Sequence, residues 1–523
     1  MSEVIKQAIS FIKGHISIAS LLTGNIIIIA WTLLRFFTKP INFDLTGQQV
    51  LLNQWLHGYM SGSVMAPTNY MLKMLIYAPF QYMPWSPHIS IIIMTVLINV
   101  VSYSLIFFVL KRLMVQLDIK ISAYFYLGMV WFAGIAGSIF WIQFANSRNL
   151  EVAGGLLLIS LVIRFINKSS VKLAIGLALF SGVLFFADPL QLYMTAIFAI
   201  MYGLYIAISR KLWRQFGLML ATLGVGYAIY ILILYIVQST AKVEFFSVNS
   251  LSQSLAVFRD PIHTIYQTIK VNVQLISGAN DVGRIRQIVN IVFVGLTGVA
   301  FIGLSLRKRI SASAFFFVFG AIIVMNGVYV ASGQPVFGGD TSRYLIMLAP
   351  VVVLVIASMK YLNKKFVRPY TLLILLVTAM NSVLVFGAMF NNWTTQLPAD
   401  AHLLRTINYI NQYKYKFAYA SMDTAIPATF LFRPDATILP LSCDVTGLHK
   451  TYLFYDKALF QLVDQSEVKE VPIILDGDSI GNYPNICDLK KIVNQLGEPG
   501  RQEKTEDSLV LIYPLKTIHL RLQ

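Results

Sequence analysis

The chain has 523 residues, of which 57% are apolar and 12% are charged, and its mean hydropathy is +0.67. This composition excludes the disordered and ordinary soluble classes and indicates a polytopic membrane protein. The net charge of +17 is concentrated in residues 1–390, which hold 28 Lys/Arg against 9 Asp/Glu, so it reports membrane topology and argues against a nucleic-acid partner.

Long apolar segments follow one another through the first three quarters of the chain. Each has about the length that an α-helix needs to cross a bilayer, which is about 20 residues. The sequence therefore predicts eleven transmembrane helices, at about 16–37, 89–110, 121–143, 150–166, 173–187, 189–208, 216–237, 287–306, 311–331, 343–359 and 370–390.

The links between these segments differ in charge. Alternate links carry clusters of Lys and Arg, such as those at 111–120, 210–214 and 307–309, whereas most acidic residues fall on the other side. The positive-inside rule then predicts a cytoplasmic N-terminus and an exterior C-terminus. The first segment has basic flanks and no small-residue cleavage site, so we interpret it as a retained signal anchor.

The exterior segments define the predicted domains. Residues 1–390 form a transmembrane domain with long exterior loops at 38–88 and 238–286, and residues 391–523 form an extracytoplasmic domain. In the first loop, the apolar positions 51–56 predict a helix that lies in the membrane interface. In the second, Asp260 and Pro261 predict the start of another surface helix, because they suit a helix cap and first turn.

The C-terminal segment has the pattern of a small α/β domain. A helical period covers 403–413, and short β-rich runs occur at 416–420, 437–441, 471–475 and 509–513. An alternation of this kind favours a sheet with helices packed on it. Both cysteines, Cys443 and Cys487, lie here; they could form a disulfide or be two unrelated thiols.

Ionisable residues at the exterior ends of the predicted spans are the candidates for function, because a charge at membrane depth persists mainly where it faces a cavity or a partner. Each has a simpler interpretation. Arg148 with Glu151, and Asp340 with Arg343, could be local salt bridges; Asp188 could cap the sixth helix; and Asp44 could be a solvated loop carboxylate. The functional interpretation of these residues is favoured because all of them are predicted to lie on one side of the membrane.

Taken together, these features resemble the C-type (GT-C) glycosyltransferase superfamily, and within it the protein O-mannosyltransferase and lipid A aminoarabinose transferase branch. The features are the eleven spans, an acid soon after the first, a Ser-Arg-Asn-Leu-Glu turn, an Arg-Tyr-Leu entry to a late span and the exported C-terminal domain. The resemblance implies an inverting transfer from a polyprenyl-phosphate sugar at an exterior active site, in a bacterial plasma membrane. The acceptor stays open.

The resemblance also assigns roles to residues. Asp44 corresponds to the general base, and Arg343 and Tyr344 correspond to donor phosphate contacts. Independently of the family, a lipid-phosphate leaving group needs nearby cations, and arginine suits phosphate because its planar fork pairs with two oxygens. The predicted substrate-binding set is Arg148, Glu151, Asp188, Arg284, Arg286, Asp340, Arg343 and Tyr344.

The first loop departs from the pattern of many relatives. Asp44 is followed by Leu45 and Thr46, so the loop lacks a second, paired acid. This argues against a divalent metal and predicts a reaction that needs no cofactor besides the donor. It also leaves open whether Glu151 or Asp188 supports Asp44.

Two other functions remain possible at this stage. A transporter or flippase would also have many spans, but such proteins usually have repeated halves and polar residues near the bilayer midplane, which we do not find. A polymerase or ligase of polyprenyl-linked glycans would also have a large exterior loop, but it would need an oligosaccharide-diphosphate donor.

The predicted orientation can be tested by labelling. Cysteines introduced at Thr68 and Ser252 should react with a membrane-impermeant thiol reagent in intact cells, because both positions are predicted to be outside, whereas one at Ser170 should not. Labelling at Ser170 would overturn the orientation.

Overall fold

The structure is a computed structural model that divides the chain into two compact units. The first consists of Met1–Arg35, Thr95–Ile233 and Val248–Thr394, and the second of Phe36–Met94, Leu234–Ser247 and Thr395–Gln523. The described residues are 2–38, 43–60, 62–65, 71–136, 149–245, 259–277, 284–332, 345, 347–395, 401–432, 435–444, 447–451, 454–476, 489–505, 508–518 and 520.

The first unit is helical, and a described helix overlaps each of the eleven predicted spans. These helices are α1 (Ser2–Thr38), α4 (Pro87–Gln116), α5 (Ala123–Ala136), α6 (Asn149–Asn167), α7 (Val171–Ala187), a π-helical turn (Leu192–Ala196) that leads into α8 (Ile197–Arg210), α9 (Trp213–Ala241), α11 (Arg284–Leu306), α12 (Ala312–Ala331), α13 (Leu348–Ser358) and α14 (Lys364–Thr395). Helices α1, α4 and α9 continue into the second unit.

Eight of the described helices are long and apolar enough to cross a membrane. The other three apolar helices, at Ala123–Ile135, Val171–Ala187 and Leu348–Tyr361, are shorter. The chain is therefore a polytopic helical protein, while the count of eleven crossings and the direction of its termini remain predictions.

Large apolar side chains cover the outer surface of this unit. On α9, for example, Val225 and Leu232 are 54% and 57% exposed. In water, contiguous apolar surface of this kind would be unfavourable, but it is the expected surface of a helix that faces lipid. The exposed side chains support an integral membrane protein.

The surface helix predicted after Asp260 is present as α10 (Pro261–Ser277). The Asp260 carboxylate accepts a hydrogen bond from the backbone N–H of His263 at 2.9 Å, which confirms the predicted cap. Ile262 and Ile265 are exposed, whereas Val271 and Leu275 are buried. The helix thus packs on the protein through one face and leaves an apolar face uncovered, as a helix at a membrane surface does.

The second unit is built around a six-stranded mixed sheet with the order β5-β4-β3-β6-β8-β7. Its strands are β3 (Phe417–Ser421), β4 (Thr437–Asp444), β5 (Gly447–Lys450), β6 (Glu470–Asp476), β7 (Arg501–Lys504) and β8 (Ser508–Pro514). The central strands β4, β3 and β6 are parallel, and the outer pairings are antiparallel. The helices are α15 (Ala401–Gln412), α16 (Met422–Phe432), α17 (Lys457–Asp464) and α18 (Leu489–Leu496).

All four predicted strands and the predicted first helix of this domain are confirmed. The buried side chains of Ile473, Leu511 and Tyr513 lie in its core. The strands could be predicted because β-branched and aromatic residues recur in short runs between turn signals. The possible pairing of Cys443 with Cys487 lies outside the residues that the structure describes.

The first long loop belongs to this second unit. It contains α2 (Phe43–Leu56), β1 (Ser63–Met65) and α3 (Met71–Gln81). Helix α2 packs on α16, and Val50 and Leu51 are buried in the same core as the sheet. The prediction that residues 51–56 lie in the membrane interface is therefore wrong for Leu51, because its apolar side chain is covered by protein.

Asp456 joins this loop to the C-terminal segment. Its carboxylate accepts hydrogen bonds from the backbone N–H groups of Gly62 and Ala458, at 3.2 and 2.8 Å. Its own backbone N–H donates to the side-chain oxygen of Gln54 at 2.8 Å. A buried carboxylate with several donors fixes its neighbours because each N–H would otherwise lose its partner away from water.

A short parallel pairing attaches a third segment. Strand β1 pairs with β2 (Val243–Phe245), which follows α9. The Lys457 ammonium lies 3.2 Å from a Glu244 carboxylate oxygen. The compact units thus place residues 38–88 with the C-terminal segment, whereas the sequence analysis assigned that loop to the transmembrane domain. The predicted boundary at 390/391 lies close to the boundary between Thr394 and Thr395.

Candidate functional site

The proposed base, Asp44, is the second residue of α2. Its side chain lies outside the described part of the chain, but the helix that carries it is well fixed. The side chains of Gln48 and Gln49, one turn further on, are buried. A side-chain carbon on Gly47 would collide with the ring of Phe454, so only glycine allows this close approach.

Gln49 on α2 and Tyr77 on α3 line the same small cavity, and both side chains are buried. Burial raises the pKa of the Tyr77 hydroxyl well above its ordinary value. The hydroxyl therefore stays neutral at physiological pH. Asp44, the predicted base, thus lies on a helix whose buried polar and apolar side chains pack within the second unit.

In the first unit, Glu151 and Asp188 lie at corresponding ends of neighbouring helices. Glu151 is in the first turn of α6, and Asp188 follows α7 and precedes the π-helical turn and α8. Because short connections make successive helices antiparallel, α6 and α8 run in the same direction and begin at the same end of the unit. Both carboxylates are at least 95% buried.

Asp188 is held by its own turn. Its carboxylate accepts hydrogen bonds from the backbone N–H of Leu190 at 3.1 Å and from the side-chain amide of Gln191 at 3.3 Å. These contacts confirm the interpretation of Asp188 as a cap for the following helix. A role in substrate binding remains a prediction.

A π-helical turn follows, and its residues meet α6. The Thr195 hydroxyl donates to the side-chain oxygen of Gln191 at 2.6 Å. A side-chain carbon on Gly155, one turn beyond Glu151, would lie 2.6 Å from that Gln191 oxygen and 2.7 Å from the Thr195 hydroxyl. π-Helical turns are rare and often occur at functional sites. This turn therefore makes the end of the unit that holds Glu151 and Asp188 a candidate site.

Met347 also contacts this point, since its terminal methyl lies 2.8 Å from where a Gly155 side-chain carbon would be. It follows Arg343 by four residues in the sequence. Four of the predicted site residues lie outside the described residues: Arg148, Asp340, Arg343 and Tyr344.

Close to Glu151 in the chain, hydrogen bonds between polar side chains connect three helices. The side-chain amide of the buried Asn149 donates to the side-chain oxygen of Asn99 on α4 at 2.6 Å, and the Asn99 amide donates to the Thr32 hydroxyl on α1 at 3.0 Å. These hydrogen bonds fix the start of α6, which bears Glu151. Sequence analysis missed this chain, although asparagines within apolar segments were a visible signal.

Arg284 and Arg286 differ from each other. Arg284 begins α11 and is exposed, whereas Arg286 is 1% exposed. The Arg286 guanidinium donates to the Asn381 side-chain oxygen at 2.8 Å and to the Gly134 carbonyl at 3.0 Å, and it lies over the Trp31 ring at 5.3 Å. Arg286 therefore joins α11 to three other helices, and a phosphate contact by either arginine stays a prediction.

The polar layer around Arg286 extends through paired amides. The side chains of Asn290 and Asn381 donate to each other at 3.0 Å, and the Trp131 indole donates to Asn290 at 3.1 Å. Satisfied polar groups at membrane depth hold helices together because lipid offers no alternative partner. The spacing of Arg286 and Asn290, four residues apart on one helix face, was the signal that could have predicted this role.

Among the described residues, no group of three or more His, Cys, Asp or Glu side chains could hold a metal ion. Glu151 and Asp188 are the acids of the predicted set whose side chains the structure describes. The prediction that no divalent metal takes part in the reaction stays a prediction.

Comparison of the fold identifies similar solved structures. The apo crystal structure of ArnT from Cupriavidus metallidurans is 10% identical and has a TM-score of 0.53; the likeness covers 95% of this chain and 98% of that one. The chain shares the fold of ArnT. The crystal structure of ArnT bound to undecaprenyl phosphate, also 10% identical, gives a TM-score of 0.51 and coverages of 94% and 97%.

No protein-family model and no curated protein matches the sequence. The resemblance predicted from the sequence is confirmed at the level of the fold, because the chain has the fold of ArnT, a lipid A aminoarabinose transferase of the GT-C type. The likeness extends over both compact units, so the combination of apolar helices and a sheet unit is a property of this fold.

The Gly155 contact yields a stability prediction. Gly155→Val should destabilise the protein by about 1–3 kcal/mol, because the new methyl groups overlap Gln191, Thr195 and Met347. Thermal unfolding in detergent should show a lower midpoint. Gly295→Val is the matched control, since Gly295 is also in an apolar helix but has nothing within 4 Å of its added carbon. Equal shifts for the two variants would contradict the packing.

Proposed function

We propose that the protein is a membrane glycosyltransferase that moves a sugar from a polyprenyl-phosphate donor to an acceptor hydroxyl on the exterior membrane face. The observation that carries the proposal is the likeness to the ArnT fold, which covers 94–95% of this chain. One of the ArnT crystal structures is bound to undecaprenyl phosphate. Because the two sequences are only 10% identical, the likeness supports the fold, and the class of donor is our inference.

The proposed reaction needs a base and a stabilised leaving group. The acceptor oxygen attacks the anomeric carbon from the face opposite the phosphate, the bond from that carbon to the phosphate oxygen breaks, and the configuration inverts. The acceptor proton passes to the Asp44 carboxylate, and the electron pair leaves with the polyprenyl phosphate. Asp44 is the one acidic residue of the loop 38–88, and α2 is held in the second unit.

Cations would stabilise the departing phosphate. We assign this role to Arg148, Arg284 and Arg343, with Tyr344 as an additional donor. Arg286 was also a candidate, but its guanidinium hydrogen-bonds to Asn381 and Gly134, and a phosphate could reach it only by displacing those bonds. The proposal therefore depends less on Arg286 than the sequence analysis did.

The acids of the first unit have a supporting role in this proposal. Glu151 and Asp188 are buried at the same end of neighbouring helices, where carboxylates accept hydrogen bonds from sugar hydroxyls or orient a cation. Asp340, which precedes Arg343, is assigned to the same binding set. The reaction as proposed requires no metal, because the phosphate is already a good leaving group.

The decisive experiment follows the donor. Purified protein in detergent is mixed with a panel of polyprenyl-phosphate monosaccharides and an oligosaccharide-diphosphate lipid, and mass spectrometry measures the consumption of each. We expect consumption of a monosaccharide phosphate with release of polyprenyl phosphate. Consumption of the diphosphate donor alone would identify a polymerase or ligase, and ATP-free movement of intact donor across vesicles would identify a flippase.

Asp44→Asn tests the assigned base in the same assay. Loss of a general base typically costs ~10²- to 10⁴-fold in rate, so turnover should fall by this factor while donor binding and the melting curve stay close to those of the parent. Asp260→Asn is the matched control, because Asp260 is an exposed acid of the other exterior loop. Turnover of Asp44→Asn within a few-fold of the parent would shift the role to Glu151 or Asp188.

A further inference from the structure

A concave surface separates α10 from the beginning of α11. It encloses a cavity of about 360 Å³, lined by residues from both helices. Tyr266, Ile269 and Val273 line it from α10, and Ile291 lines it from α11. Because 266, 269 and 273 recur at helical spacing, the exposed apolar face of α10 forms one wall.

The polar residues of the cavity are basic or neutral. Lys270, Gln274 and Gln287 contribute an ammonium and two side-chain amides. Neither α10 nor α11 contains an acidic residue. The groups around the cavity therefore match an anion that accepts hydrogen bonds.

An apolar stripe continues from the cavity along α11. Ile288, Val292, Leu296 and Val299 are spaced by three or four residues, and each is more than half exposed. Eleven residues of helix cover about 16 Å, and one leaflet of the hydrocarbon core is about 15 Å thick. The stripe therefore has the length of ordinary fatty acyl chains, whereas a polyprenyl chain would extend well beyond it.

From this arrangement we propose that the cavity between α10 and α11 is a binding site for an anionic glycerophospholipid. Its phosphate lies at the Lys270 ammonium, with the amides of Gln274 and Gln287 as further donors, and its acyl chains follow the stripe on α11. A lysine near a membrane surface attracts an anionic lipid with an effect that corresponds to about five-fold in affinity. The inference does not depend on the proposed transfer reaction.

Bound lipid would also secure α10. Apart from its contacts with α11 and α12, which include a hydrogen bond of 2.6 Å from the Asn272 amide to Asn326, this helix leaves its apolar face uncovered. A ligand that binds the folded state alone raises the stability of that state by mass action. The lipid thus has both a binding and a thermal readout.

The test uses the full chain in detergent after removal of co-purified lipid. Native mass spectrometry and thermal unfolding are followed during titration with phosphatidylglycerol, with phosphatidylcholine and with undecaprenyl phosphate. The parent should bind phosphatidylglycerol about five-fold more tightly than phosphatidylcholine, and the midpoint of unfolding should rise accordingly.

Two cavity variants and one control variant separate the effect of charge from the effect of shape. Lys270→Gln should abolish the preference for phosphatidylglycerol, whereas Lys168→Gln, which changes an exposed lysine between α6 and α7, should keep it. Val273→Trp should weaken binding of both phospholipids because the indole fills the cavity.

Three results would overturn the proposal. The first is equal binding of the two phospholipids by the parent, and the second is an unchanged preference in Lys270→Gln. The third is tighter binding of undecaprenyl phosphate through Lys270, which would assign the cavity to the donor lipid. None of these measurements requires turnover, so failure here is distinguishable from failure of the proposed transferase activity.

Discussion

The burial of α2 in the core of the second unit is the constraint on which the proposed chemistry depends. Val50 and Leu51 lie among the side chains of the six-stranded sheet, and Gly47 admits the ring of Phe454. A helix packed in this way has one orientation, because its apolar face, its buried glutamines and its glycine must all find their partners. The packing of α2 on the sheet therefore fixes the position of Asp44, which lies in the first turn of that helix.

This arrangement accounts for the presence of the first long loop and the C-terminal segment in one compact unit. The sheet supplies an apolar core that a loop of about fifty residues between two membrane spans could not form by itself. Asp456 completes the connection, since its carboxylate accepts from Gly62 in the first loop and from Ala458 at the start of α17. The domain thus acts as a support for the loop rather than as an independent module.

Much of the fold could be predicted from the sequence, since apolar length identifies membrane helices and short β-rich runs identify the strands. Leu51 shows where such inference fails. An apolar helix face looks the same whether its partner is lipid or protein, so sequence pattern placed it in the membrane interface and the structure places it in a core. Arg286 shows a related ambiguity, because a charge near a helix end suits either a ligand or neighbouring helices, and its hydrogen bonds to Asn381 and Gly134 connect helices.

The candidate site was predicted in part. Burial of Glu151 and Asp188 at one end of parallel helices agrees with their predicted positions, but the close contact of Gly155 with the π-helical turn depends on packing that no local pattern specifies. The roles assigned to Arg148, Arg343 and Tyr344 are based on the resemblance and on the suitability of arginine for binding phosphate.

Hydrogen exchange followed by mass spectrometry tests most directly whether the helix of Asp44 belongs to the second unit. Asp456→Ala removes the acceptor of two backbone N–H groups, so exchange should accelerate in residues 47–56 together with β3 and β6, while α6 stays protected. Asp435→Ala, at an exposed position of the same unit, should change none of them. Unchanged exchange in 47–56 beside a loosened sheet would contradict the account.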